Sequence, residues 1–145
     1  TSWEIVVALR ATSIVRNTSD PYTNDTVMAD SDVLPGLFLK NNSGGQALAF
    51  NYDDNEDSVA TAAYTAGTDR VICARLSGGQ VGVAIDDDAY TSVASGATNA
   101  ATGQLMLGGF TSMEGRIYWA MIRGTVMSDS ERAALVAYAK GKQGR

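Results

Sequence analysis

The sequence predicts an all-β domain: a two-sheet antiparallel jelly-roll sandwich that ends in one short C-terminal helix. Three observations lead there. Apolar and polar residues alternate with period two in segment after segment, turn-forming residues recur about every 8–12 positions, and only the last stretch, Val126 to Lys142, has helical spacing.

Taken in order, "WEIVVALR" sets Trp3, Ile5, Val7 and Leu9 on one face of a strand, with Glu4 and Arg10 on the other. The polar stretch "NTSDPYTNDT" is a loop by composition. After it, "VMA", "GLFLK" and "QALAFNY" read as short antiparallel strands, the last aligning Leu48, Phe50 and Tyr52, with "NNSGG" as a connecting loop. "DRVICARL" and "QVGVAID" flank "SGG", a hairpin signal because both glycines can take positive φ. "GQLMLGG" and "GRIYWAMIRG" supply the last strands. In the second, Ile117, Trp119 and Met121 fall on one face and Tyr118, Ala120 and Ile122 on the other, so something must cover its outer side. Leu48, Phe50, Val83, Ile85, Leu107, Ile117, Trp119 and Trp3 are the predicted core. No repeat period appears, which argues against a propeller or solenoid.

The closing helix is defined by its ends. Ser128 followed three residues later by Glu131 is a capping box. Asp129 and Glu131 suit the positive end of the helix dipole, Lys140 and Lys142 the negative end, and Gly141 is placed to stop it. Leu135, Tyr138 and Ala139, with Ala134 beside them, form a narrow apolar stripe. A helix this short is marginal alone, so it is expected to dock as a clasp over the outer side of the preceding strand.

A chain of 145 residues, 45% apolar and 19% charged, suits one domain spanning residues 1–145. It opens at Thr1 without Met, which is expected of a processed product or part of a larger chain. Sixteen acidic against eleven basic residues and no histidine give a net charge of −5. That field repels phosphate and anionic lipid, so nucleic-acid binding is disfavoured and neutral or cationic partners are favoured. No window approaches the roughly 18 apolar residues of a membrane span, so membrane insertion is not expected. The single cysteine, Cys73, can make no internal disulfide and reads as a packed thiol.

"GQLMLGGF" followed after a short gap by "MEGRIYWAMIRGTVMSDSERAALVAYAKGKQG" resembles the C-terminal signature of concanavalin A-like lectin/glucanase domains of the laminin-G-like and pentraxin-like kind. The match runs through Leu105, Leu107, Gly108, Gly109, Gly115 and Ile117, then Ser128, Asp129, Glu131, Arg132, Leu135 and Tyr138. The upstream strands fit in order and spacing. Val126-Met127 stands where the family often has Ala-Leu, which preserves the apolar anchor. The resemblance implies two packed antiparallel sheets with a convex back and a concave front, used mainly to bind glycans or protein partners.

Hydrolases on that scaffold resemble one another through a strand bearing Glu-x-Asp-x-x-Glu, whose carboxylates supply nucleophile and acid/base. This sequence has no such strand, and the chain is therefore expected not to be an enzyme. For sugar binding, the candidates are tyrosines at strand ends and loops, Tyr22, Tyr52, Tyr64 and Tyr90, whose rings would stack on pyranose faces, with Asn51 to hydrogen-bond hydroxyls. No cofactor is expected apart from calcium, for which loop carboxylates Asp53, Asp54 and Asp57 and the pair Asp86 and Asp88 are candidate ligands, with further carboxylates at Asp20, Asp25, Asp30 and Asp32; none has EF-hand spacing. Arg70 and Arg75 read as surface charges guarding a strand from stray pairing.

An Ala/Gly/Thr/Ser-rich, histidine-free domain looks like modules displayed on bacteriophage particles. The functional expectation is a non-catalytic binding or structural module on a phage, in a tail fibre, an adhesion device or a capsid decoration, placed on a virion or outside the cell. Its partners would be a glycan or a virion or cell-surface protein, with homo-oligomerisation through the larger assembly. The alternative is a carbohydrate-binding module of a secreted bacterial protein.

Overall fold

The computed structural model describes residues 2–14, 25–30, 36–42, 45–51, 59–95, 105–107 and 113–145. The chain runs β1 (Trp3–Ala11), β2 (Asp25–Asp30), β3 (Gly36–Asn42), β4 (Gly45–Asn51), β5 (Val59–Ala63), β6 (Arg70–Ser77), β7 (Gln80–Ile85), β8 (Thr91–Ala94), β9 (Leu105–Leu107), β10 (Gly115–Arg123) and α1 (Asp129–Lys142). Among the described residues every pairing is antiparallel, in two five-stranded sheets ordered β10-β1-β6-β7-β8 and β5-β4-β3-β2-β9. The predicted hairpin is β6–β7, and Gly78 and Gly79 turn it at φ 57 and φ 72, values that side chains on both residues would resist.

Alternation along β1 sends Ile5, Val7 and Leu9 into a core shared with Ile72 and Leu76 of β6, Val83 and Ile85 of β7, and Val27, Leu37, Leu39 and Ala60 of the second sheet. The other face of the first sheet is covered as well. Val6, Ala8, Val71, Cys73 and Ala84 form a second apolar cluster, sealed by Met127, Val136 and Ala139. Burial on both faces explains why β6 reads as a nearly continuous apolar run.

Val83 and Ile85 lie in the core as predicted, and Ile117 and Trp3 pack against it. The side chains of Leu48, Phe50 and Leu107 lie outside the described residues. Trp119 is a correction. Ala8 pairs with Trp119 and Leu9 with Ile117, so Tyr118 is an extra residue in β10, a bulge. The bulge breaks the alternation: Ile117 and Ala120 face the inter-sheet core, while Tyr118, Trp119 and Met121 face the helix side.

The capping box of α1 is formed as expected, with the Glu131 N–H donating to Ser128 Oγ at 3.3 Å and the Ser128 N–H to Glu131 Oε2 at 2.9 Å. Ser128→Ala should cost about 1 kcal/mol, read as a parallel shift of the urea midpoint. The stop differs from expectation. Gly141 lies inside the last turn, and Gly144, at φ 77, takes the left-handed conformation beyond the cap residue Gln143. The docked stripe differs too, because Val136 and Ala139 are the buried pair and Tyr138 is 51% exposed. The helix lies over β1 and β6 with β10 at its flank, so it clasps the middle of the sheet rather than β10 alone. Gln143 fastens its end, donating from Nε2 to the carbonyls of Leu9 at 3.1 Å and Arg70 at 2.8 Å. No described helix is long and apolar enough to cross a membrane.

Candidate functional site

The helix-bearing face of the first sheet carries the polar side chains that demand explanation. Register places Glu4 of β1 opposite Arg75 on β6 and Arg123 on β10, and Arg75 opposite Gly82 on β7. Gly82 lets the neighbouring side chains settle closely on the sheet, since a Cβ there would stand 2.6 Å from Ser92 Oγ and in contact with Tyr90 Cδ1 at 3.4 Å, and the Ser92 side chain would have to turn aside. The Tyr90 ring therefore lies across the sheet and its hydroxyl donates to Glu4 Oε1. Glu4 Oε2 accepts the Met127 N–H at 2.8 Å, which ties the approach to the helix to the first strand. Glu4 is 1% exposed, so it is a buried carboxylate and not the solvated one that its place on the polar face suggested.

Two guanidiniums enclose this pair. That of Arg75 lies 3.8 Å, and that of Arg132 5.1 Å, from the centroid of the Tyr90 ring. Arg132 also donates to the Asp88 carbonyl at 3.0 Å, while its Nε is buried without a hydrogen-bond partner among the described residues. Burial, then the neighbouring Cys73 and the bond to Glu4, hold the Tyr90 phenol above its ordinary pKa. Burial likewise pushes the Cys73 thiol up to about 11. Both groups keep their protons at neutral pH, and the cluster acts as a latch between sheet and helix.

Beyond the C-terminal end of α1, the same face opens into a shallow cleft of about 300 Å³ lined by Arg10, Thr12, Gly115, Arg116 and Tyr118. β1 and β10 approach closely here. A Cβ on Gly115 would stand 2.2 Å from the Arg10 carbonyl oxygen, so only glycine permits the Ala11–Gly115 pairing. One step along, Arg10 and Arg116 are direct cross-strand partners. The Arg116 guanidinium lies 5.6 Å from the centroid of the Tyr118 ring, which the bulge has turned to this face. The cleft is thus lined by two arginines, a threonine and a tyrosine. None of these four was singled out from sequence, because their proximity depends on the β1–β10 register and the bulge.

The predicted site residues fare differently. Tyr22, Tyr52, Asp53, Asp54 and Asp57 lie outside the described residues, as do Asp20 and Asp32 and the side chain of Asn51, which closes β4. Tyr64 is corrected to a core residue: it is 3% exposed, accepts the Ala11 N–H at 3.0 Å and donates to the Thr68 carbonyl at 3.3 Å. Its phenol pKa is raised by burial. Tyr90 is corrected from an open stacking ring to the latch just described. Arg70 and Arg75 do not guard an edge, since β6 is the middle strand of its sheet.

Asp86 and Asp88 are not brought together as a metal site. Asp86, at φ 54, binds Arg70 at 3.0 Å and Arg145 at 3.1 Å and accepts the Val71 N–H at 3.0 Å. Its neighbour Asp87 pairs with Lys140. Among the described residues no three His, Cys, Asp or Glu side chains are grouped to hold a metal ion.

Burial opposes ionisation of Asp86, but the bonds from Arg145, Val71 and Arg70 outweigh it and hold the carboxyl below its ordinary pKa. A depressed folded-state pKa contributes stability above the unfolded value of about 3.9, and that stability is lost as pH falls through the folded value. Asp86→Asn should therefore be less stable than the native chain at pH 7, with the gap closing in denaturant titrations as pH falls through the lowered folded value.

No protein-family model matches this sequence, and no curated protein matches it. Solved structures do resemble it in fold. A sialidase of Trypanosoma rangeli, in complex with 2,3-difluorosialic acid, aligns with a TM-score of 0.68 at 11% identity, covering 97% of this chain and 23% of that one. The CBM40 of a Ruminococcus gnavus IT-sialidase, bound to α2,3-sialyllactose, aligns at 0.63 and 14%, covering 93% of this chain and 82% of that one. A heptameric SAP-like pentraxin of Limulus polyphemus aligns at 0.60 and 10%, covering 93% and 69%.

The last two are concanavalin-like, jelly-roll β-sandwiches, and the likeness shows that fold. The chain spans less than a quarter of the sialidase it matches. These neighbours overturn the expectation that the chain is not an enzyme, since sialidases, one a mutant displaying trans-sialidase activity, share its fold.

Proposed function

We propose that the chain is a carbohydrate-binding jelly-roll domain of a larger secreted or surface protein. The observation that carries this reading is the match over 93% of the chain to a carbohydrate-binding module bound to a sialylated sugar. The open cleft at Arg10, Thr12, Arg116 and Tyr118 supports it with the chemistry that sugars need, hydrogen-bond donors beside an aromatic ring. At about 300 Å³ it has room for one terminal sugar, and single-site binding is expected to be weak. Several copies, or a companion domain that acts on the same glycan, would turn weak binding into retention. The match to part of a sialidase favours the companion-domain arrangement. Phage display rests on composition alone and draws no support from the named neighbours.

The test is a glycan array probed with the chain as a streptavidin-linked tetramer. Retention on a defined subset of glycans, competed by the free sugar, is the expected result. A tetramer that binds no glycan above a folded control sinks the reading.

A further inference from the structure

We infer that the Arg10–Arg116 pair makes the cleft select glycans with a carboxylate-bearing terminal sugar, the carboxylate lying between the two guanidiniums. This rests on the glycan-binding reading above and names its ligand class. Like charges directly opposite on neighbouring strands destabilise a sheet. Yet the register sets Arg10 and Arg116 opposite each other. Among the described residues neither forms an ion pair.

Among the described residues the nearby acids bond to groups other than these two arginines. Glu114 accepts from the Ser13 hydroxyl, Asp69 from the Tyr118 hydroxyl at 2.9 Å, and Asp86 from Arg70 and Arg145. The Arg116 guanidinium stands 5.6 Å from the centroid of the Tyr118 ring, and among the described residues no hydrogen bond occupies its N–H donors. Guanidinium forks match a carboxylate in two-point geometry, and an anion between the two would relieve their repulsion. Thr12 and Tyr118, which also line the cleft, are the residues nearest the rest of the sugar. The net charge of −5 repels a long polyanion, so a glycan with one charged terminal sugar fits better than a polyuronate.

The experiment is calorimetric titration of the full chain with three probes: α2,3-sialyllactose, its carboxyl methyl ester, and lactose sulfated at the same galactose position. The expected result is binding of the acid at least tenfold tighter than the ester and tighter than the sulfate. Arg10→Gln and Arg116→Gln should each lose at least tenfold towards the acid. Arg10→Gln should melt no lower than the native chain, because removing one of two opposed charges relieves the sheet. Arg116→Lys keeps the charge but not the fork and should recover only part of the affinity.

Acid and ester binding equally, or both glutamine variants binding as the native chain does, overturns the inference and leaves the glycan-binding reading standing. So does a sulfate bound more tightly than the acid, which would make the cleft a site for another anion. Failure of all three probes, together with a blank glycan array, removes both.

Discussion

Glu4→Ala is expected to be the most damaging single substitution on the helix-bearing face, costing about 2–5 kcal/mol by urea unfolding. The alanine would leave the Tyr90 hydroxyl and the Met127 N–H without their acceptor in a buried setting. Each orphaned polar group costs about 1–3 kcal/mol. Glu4→Gln keeps an acceptor oxygen and should cost clearly less. Tyr90→Phe removes the partner of Oε1, and its effect should add only partly to that of Glu4→Ala, because both break one network. A loss within about 0.5 kcal/mol for Glu4→Ala, the range of ordinary surface positions, would show that the latch does not hold the helix.

The second large effect concerns the helix seat. Val136 is 1% exposed and packs with Ala139 over Val6, Ala8, Val71 and Cys73. Val136→Asp would bury an unpaired carboxylate there, at a cost of roughly 3 kcal/mol or more, unless the helix lifts away. Lifting it uncovers Cys73, which in the native chain is buried with its thiol pKa raised to about 11 and should resist maleimide for hours. In Val136→Asp the thiol should label within minutes under native conditions. Slow labelling alongside an unchanged melting temperature would mean that the helix is an appendage and not a cover.

Local signals in the sequence carried most of the architecture. The Gly78-Gly79 turn, the Ser128–Glu131 capping box and the alternation of β1 all act within a few residues, and each is formed as read. What depends on pairing was hidden. One extra residue at Tyr118 inverted the facing of Trp119, and no pattern within β10 announces a bulge defined by its partner strand. Tyr64 and Tyr90 read as loop tyrosines because their flanks are polar, yet each reaches a buried acceptor or donor far along the chain. Glu4 sits on the face that alternation calls polar, and it is buried because α1 and Tyr90 cover that face. The cleft was the least legible feature. A net charge of −5 averages away two arginines placed opposite each other.

The most direct test of the account is to map ligand contacts by nuclear magnetic resonance, following backbone amides and arginine Nε–Hε signals while an acidic-sugar glycan is titrated into the full chain. The account predicts shifts concentrated at Arg10, Thr12, Gly115, Arg116 and Tyr118, with both arginine side-chain signals moving along one saturable curve. Shifts confined to the second sheet, with the Arg10 and Arg116 signals unmoved, would contradict it.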